Sequence, residues 1–339
     1  MLKFAIDKVM RHENLTESEM IDAMNIIMEG KATESQIGGF LTALRMKGER
    51  LQEITGGAKV MRDKALSINI DSDYTIDTCG TGGDGAHTFN ISTIVAFVAA
   101  AAGVTVVKHG NRSVSSKCGS ADVLEYLGVN IDLQPREVEK CAHELNIGFM
   151  FAPHFHQAMK YAIGPRRELG VRTIFNILGP LTNPAKVKGQ ILGVFDEKLT
   201  HVMAGVLQAL GAERAMVVHG LDRLDEITIT TNTKVSELKD NKIVDYYIDP
   251  RDYGLPLGTS QELVGGESRE NAKILLSILN GEISSRRNIV LLNAGAAIYV
   301  GKRADSLEEG INKARQAIDG GFALEKLNQL VKLSQELRI

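Results

Sequence analysis

Gly80-Thr81-Gly82-Gly83-Asp84-Gly85 combines backbone freedom with a carboxylate, and Thr88, Asn90, Ile91, Ser92 and Thr93 follow directly. Glycines let main-chain amides approach an anion closely, and a helix N-terminus adds a favourable dipole. The run formally matches G-x-G-x-x-G. A dinucleotide site of that kind also wants an acidic residue at the end of the next strand, to hold a ribose hydroxyl. Here the next apolar run ends in Lys108-His109, which suits phosphate better. A tight turn and an ordinary N-cap would explain the glycines alone. The hydroxyls and amides clustered behind them favour an anion site.

A second polar segment runs Lys108-His109-Gly110-Asn111-Arg112-Ser113-Val114-Ser115-Ser116-Lys117-Cys118-Gly119-Ser120. Its cations and hydroxyls could close over a polyanion, with Lys and Arg pairing to phosphate. A solvated surface loop is the plainer alternative, and two such loops after successive strands count against it. Asp225-Glu226 offers adjacent hard oxygen ligands of the kind magnesium uses alongside waters and substrate phosphates. Taken alone the dipeptide reads as an acidic turn, and it gains meaning only beside a polyphosphate. In Gly164-Pro165-Arg166-Arg167-Glu168 an arginine could pair bidentately with a carboxylate, or simply decorate a helix start. Phe175–Pro184, with two prolines, could line a pocket for a flat ring or end a helix.

The elements that must position these residues follow from periodicity. The first 66 or so residues read as helices only. Thr16 with Glu19, and Thr33 with Gln36, make capping boxes before apolar-periodic runs ending at Gly30 and near Gly48. A further helix is expected over Glu49–Leu66. Gly38-Gly39 falls inside the second run, where an irregular helix start and a contact with a second subunit explain it equally well. From Tyr74 strands alternate with helices: strands over Thr75–Cys79, Val104–Val107, Gln190–Phe195, Ala215–His219 and Glu226–Thr230, and helices over Ile91–Ala102, near Ala121–Leu127, after Pro135 and over Leu199–Leu210. That alternation predicts an α/β fold with a mainly parallel central sheet, preceded by a small all-helical domain. The stretch from Thr228 to Ile248 is compatible with antiparallel strands, and helices resume at Ser268. The expected division is a helical domain over 1–68, joined by helices from about 165–185, and an α/β domain over 69–339. In a parallel sheet both polar loops fall at the carboxyl edge of the strands, where ligands bind.

With 339 residues, 44% hydrophobic, the chain can bury a sizeable core. Its formal net charge of -3 argues against a nucleic-acid partner, which needs a broad basic surface. No apolar run is long enough to span a membrane, and Met1–Lys8 lacks a signal core. Cys79, Cys118 and Cys141 form no CxxC pair and have no histidines at zinc-ligand spacing. The chain is expected to be cytoplasmic.

Taken together and in this order, Gln36–Glu49, Gly80–Asp84, Asn90–Thr93, Lys108–Ser113, Arg166, Gly179–Pro184 and Asp225-Glu226 closely resemble the anthranilate phosphoribosyltransferases, over nearly the whole chain. The resemblance implies a helical domain and a large α/β domain with the active site between them. It also implies a homodimer joined through the helical domains, and magnesium as cofactor. Phosphoribosyl pyrophosphate would be held by Gly80, Gly83, Asp84, Thr88, Asn90, Ile91, Ser92 and Thr93. Lys108, His109, Gly110, Asn111, Arg112, Ser113, Val114, Ser115, Ser116 and Ser120 would fold over it. Ser92, Asp225 and Glu226 would serve the metal. Gly80, Asn111 and Arg166 would contact anthranilate, Arg166 through its carboxylate, with His109 and His154 near the ring. No residue is implied as a certain acid or base. Cys118 departs from the family, where many members have serine, and a thiol is the weaker hydrogen-bond partner. Pyrimidine nucleoside phosphorylases share the expected fold and a related glycine loop, but fit Asp225-Glu226 and the Lys108–Ser113 segment less well. A non-catalytic binding relative and a nicotinamide-dependent oxidoreductase are the remaining alternatives.

Overall fold

The computed structural model describes residues 1–113 and 117–338. Four helices come first: α1 (Leu2–Met10), α2 (Glu17–Met28), α3 (Glu34–Lys47) and α4 (Leu51–Lys64). Both expected capping boxes form. Thr16 accepts from the Glu19 amide at 3.2 Å while Glu19 takes the Thr16 amide at 2.8 Å, and Thr33 and Gln36 repeat the exchange. The bundle is closed by one buried acid. Glu53 accepts from Lys47 and the Arg50 amide at 2.8 Å each, and from the Leu15 amide at 2.9 Å. One carboxylate thus gathers the α1–α2 and α3–α4 connections, and its buried charge is compensated on every side.

The α/β part continues with β1 (Thr75–Gly80), α5 (Ile91–Ala101), β2 (Thr105–Gly110), α6 (Ser120–Tyr126), α7 (Pro135–Leu145) and β3 (Ile147–Phe151). Three helices of the crossing segment follow: α8 (Ala152–Phe155), α9 (Lys160–Leu169) and α10 (Phe175–Leu178). Next come β4 (Gly189–Gly193), α11 (Leu199–Ala209), β5 (Arg214–Gly220), β6 (Thr233–Lys239) and β7 (Lys242–Ile248). Helices α12 (Ser268–Leu279), α13 (Ser285–Val300), α14 (Leu307–Asp319) and α15 (Phe322–Glu336) complete the chain. Among the described residues seven strands lie in the order β3-β2-β1-β4-β5-β6-β7. The first five are parallel, and the last two pair antiparallel. The mainly parallel sheet and the antiparallel end are therefore both present. Asp240 and Asn241, both with positive φ, make the tight turn between β6 and β7.

Two expectations fail. Glu226–Thr230 is not a strand, because β6 takes the edge of β5 that it would have used. Asn293 of α13 stands in for the missing neighbour, receiving the Ile227 amide at 2.9 Å and donating to its carbonyl at 2.8 Å. Conversely β3 is an apolar run the periodicity left unassigned; it pairs β2 and is buried throughout. One core lies on the sheet face covered by α5, α13, α14 and α15. The other joins the bundle helices, α10 and α11 to the opposite face through Leu192, Val194, Ala215 and Val217. α9 lies against α2 and α3: a side chain at Gly30 would meet the Tyr161 ring, and one at Gly164 would meet Glu34 at 3.0 Å. Arg62 of α4 binds the Leu181 carbonyl at 2.7 Å, tying the bundle to the connection before β4. No described helix is long and apolar enough to cross a membrane.

Candidate active site

Strand order reverses between β1 and β4, so their carboxyl ends splay into a crevice. The glycine loop begins there. Gly82, Gly83 and Gly85 all have positive φ, between 66° and 76°, which explains glycine at these positions. Thr81 fixes the loop to β4, its amide donating to the Gly193 carbonyl at 2.9 Å and its hydroxyl receiving the Phe195 amide at 3.1 Å. Asp225 rests directly on both strand ends. Any side chain at Gly80 would run into its carboxylate, and one at Gly193 into its backbone. That carboxylate receives the Gly82 amide at 2.7 Å.

The acidic groups are held under tension. Burial first, and then the neighbouring Asp84, raise the Asp225 carboxyl to about 7. Glu226 is raised in the same direction by burial and by Asp225, opposed by the Lys108 ammonium and the Ser92 amide. Like charges brought together away from water cannot all ionise cheaply. A divalent cation beside Asp225 and Glu226 would relieve that cost, so these residues and Ser92 fit magnesium. Among the described residues no three carboxylates, imidazoles or thiols gather closely enough to hold a metal by themselves.

α5 starts at the far side of the loop. Its Thr93 hydroxyl is buried without a partner, and Ile91 is packed in the core. Thr88 bridges to Val264. Asn90 is committed within the protein: it donates to the Cys118 carbonyl at 3.1 Å and accepts from Asn271 at 2.9 Å. Asn271 also receives the Gly266 amide at 2.8 Å. The carboxamide pair thus joins both polar loops to α12, a link with no visible mark in the sequence.

The second segment divides in two. Lys108, His109 and Gly110 are not loop residues but the end of β2. Lys108 is buried, donating to the Thr78 carbonyl and to the Ser92 hydroxyl. The loop proper opens at Asn111. Arg112 turns away from the crevice, to Asp122 at 3.0 Å and Glu125 at 2.7 Å. Asp122 also clamps the loop's two stems, through the Ser113 and Gly119 amides at 3.0 and 2.8 Å. Ser120 donates to the Asn111 carbonyl. Cys118 is buried beside Ser268, so its thiol faces protein and not the crevice. Val114, Ser115 and Ser116 lie outside the described residues.

Arg166, on α9, is half-buried and stacks on Phe175 with 5.1 Å from Cζ to the ring centre. Burial lowers its pKa, and it has no ion-pair partner among the described residues. A desolvated guanidinium without an ion-pair partner can take an anion by charge-assisted hydrogen bonds. Gly80 and Asn111 come from the neighbouring strand ends of β1 and β2, on the sheet side. His109 packs against His156, with ring centroids 4.9 Å apart. Burial keeps both imidazoles neutral, lowering His109 strongly and His156 to about 4, and the Nε2 of each is buried without a partner. His154, for which the resemblance implies a place near the aromatic substrate, pairs with Asp132 at 3.3 Å. The two histidines are two residues apart and project differently, so His156 is the one beside His109. Asn183, of the two-proline segment, bridges Asp77 and the Val107 carbonyl at 2.8 Å each, fixing that connection over β1 and β2.

Two family profiles match the chain: a glycosyl transferase family helical bundle domain over residues 3–65, and the α/β domain of that family over 72–324. Anthranilate phosphoribosyltransferase of Alkaliphilus metalliredigens is 69% identical over 339 residues, covering all of both chains. The crystal structure of anthranilate phosphoribosyltransferase from Thermus thermophilus superposes with a TM-score of 0.93 at 40% identity, covering 98% of this chain and 99% of that one. The Saccharomyces cerevisiae enzyme in complex with phosphoribosyl pyrophosphate and magnesium superposes with a TM-score of 0.90 at 27% identity, covering 99% and 98%. With identity at this level over its full length, the chain belongs to the anthranilate phosphoribosyltransferase family.

Proposed function

We propose that this chain transfers the phosphoribosyl group of phosphoribosyl pyrophosphate to the amine of anthranilate, giving N-(5-phosphoribosyl)anthranilate and pyrophosphate for tryptophan biosynthesis. The observation that carries the reading is Asp225 seated on Gly80 and Gly82, which puts acidic oxygens beside an amide cradle at the sheet's switch point. Gly80, Gly83, Asp84, Thr88 and Asn90–Thr93 form the donor side, with Asn90 acting through its backbone and its hold on Cys118. Asn111, Ser113 and Ser120 close over the donor, and Lys108 supplies buried positive charge beneath it. Arg112 must leave Asp122 and Glu125 to reach phosphate; these exposed pairs are weak enough to permit that.

Bound at Ser92, Asp225 and Glu226, magnesium would stabilise charge on the departing pyrophosphate. The protein's own task is alignment and neutralisation. Arg166 takes the acceptor's carboxylate, and Phe175 holds that guanidinium in place. His109 and His156 stay neutral, giving the aromatic substrate a wall without charge. The amine needs no prior deprotonation, so attack on the anomeric carbon through an oxocarbenium-like state requires no strong base.

We divide the chain at residue 68, with the helices of 165–185 assigned to the helical unit because α9 packs on α2 and α3. A homodimer through that unit fits Gly38 and Gly39, which have nothing within 4 Å although each costs α3 stability. Three free thiols suit the cytoplasm. The test is the fall of anthranilate fluorescence with phosphoribosyl pyrophosphate and magnesium, each omitted in turn. Loss that requires both supports the assignment. No loss in folded protein rejects it and directs attention to nucleosides with phosphate.

A further inference from the structure

Arg172 follows the left-handed Gly170 that closes α9 and precedes α10. Its side chain crosses to the glycine loop. Nη2 donates to the Gly83 carbonyl, and the guanidinium lies 4.2 Å from the centre of the Phe195 ring, just beyond β4. Phe195 in turn gives its amide to Thr81, so the arginine and the loop's first residue share one anchor.

A run of left-handed glycines loses more backbone entropy on ordering than any other sequence. The loop is held from within the crevice by Asp225 at Gly82, and weakly from the Asp225 amide to Asp84 at 3.5 Å. Arg172 holds the middle of the run through the Gly83 carbonyl. Because the peptide is planar and trans, a fixed Gly83 carbonyl also fixes the direction of the Asp84 amide, which points the other way. A charged donor on that carbonyl is worth more than a neutral one.

We infer that Arg172 is a positioning residue for the donor substrate: it locks the glycine loop in the form that presents its amides to phosphate. This rests on the donor site proposed above. The clasp comes from the segment that carries Arg166, six positions earlier, so the acceptor side of the crevice orders the donor loop.

Arg172 is exposed, so its variants should fold. In Arg172→Ala the KM for phosphoribosyl pyrophosphate should rise about tenfold or more, the loss expected for one charge-assisted bond. kcat should stay within about threefold, and the KM for anthranilate at saturating donor within about twofold. Hydrogen exchange of the ligand-free protein over residues 81–85 should quicken in Arg172→Ala. An unchanged donor KM overturns the proposal. A raised KM with unchanged exchange, restored by Arg172→Lys, also overturns it, because it means direct charge on the polyanion and not loop positioning. If the wild-type protein consumes no anthranilate, the exchange experiment still tests the clasp, since it uses no substrate.

Discussion

Arg166 and His156 illustrate how burial converts a common side chain into a specific one. Arg166 has surrendered much of its hydration without an ion-pair partner among the described residues, and under the proposed function it would take the ligand's carboxylate by a charge-assisted contact. Arg166→Ala is expected to raise the KM for anthranilate roughly 10- to 100-fold. The KM for phosphoribosyl pyrophosphate should move less than about twofold; equal losses for the two substrates in steady-state kinetics would refute the assignment. His156 makes a statement about pH. Its folded value lies at about 4 against 6.5 in the unfolded chain, because burial opposes the charged ring. Between those values the unfolded state binds the extra proton, so stability falls as pH drops from 6.5 towards 4, by about 3 kcal/mol in all. His109 acts in the same direction. Urea denaturation across that window should therefore show a shallower pH slope for His156→Gln than for the parent chain.

Among the elements, the ends of β1 and β4 matter more than their middles. Gly193 ends β4 because the Asp225 backbone occupies the space a side chain would need. Gly193→Ala should cost on the order of 2 kcal/mol through forced displacement, and should depress turnover far more than a surface change of equal cost. Chemical denaturation together with turnover measures both; full activity would show that the Asp225 segment can move without consequence. The helices of the bundle were legible because local chemistry specifies them: the Thr16 and Thr33 capping boxes need only residues three apart. Strand identity was less legible. Glu226–Thr230 has the composition of a strand, but β6 occupies the edge of β5 and Asn293 takes the Ile227 amide, leaving it no neighbouring strand.

For the whole molecule, the bundle and the sheet share one core, so the crevice is bounded by elements distant in sequence. On the bundle's outer side, Gly39, Ala43 and Met46 follow the i, i+4, i+7 spacing of a single helix stripe on α3, and Met46 is 75% exposed. If the chain pairs through this unit, sedimentation velocity should give a dimer, and Gly39→Arg should shift it towards monomer while leaving the helical content unchanged. A parent chain sedimenting as monomer at micromolar concentration would overturn the proposed dimer.

The order of the motifs by itself determined the α/β class, the glycine loop and the family. These depend on residue type and short spacing, which local physics reads directly: a run of positive φ favours glycine, helix starts favour caps, and a parallel sheet puts its loops on one edge. Tertiary structure decided the rest. It buried Lys108 within β2, turned Arg112 towards Asp122 and Glu125, put His156 rather than His154 beside His109, and brought Arg172 and Asn271 to the loops from remote helices. Those assignments depend on which side chains meet across the sheet and the crevice, and no spacing along the chain encodes them.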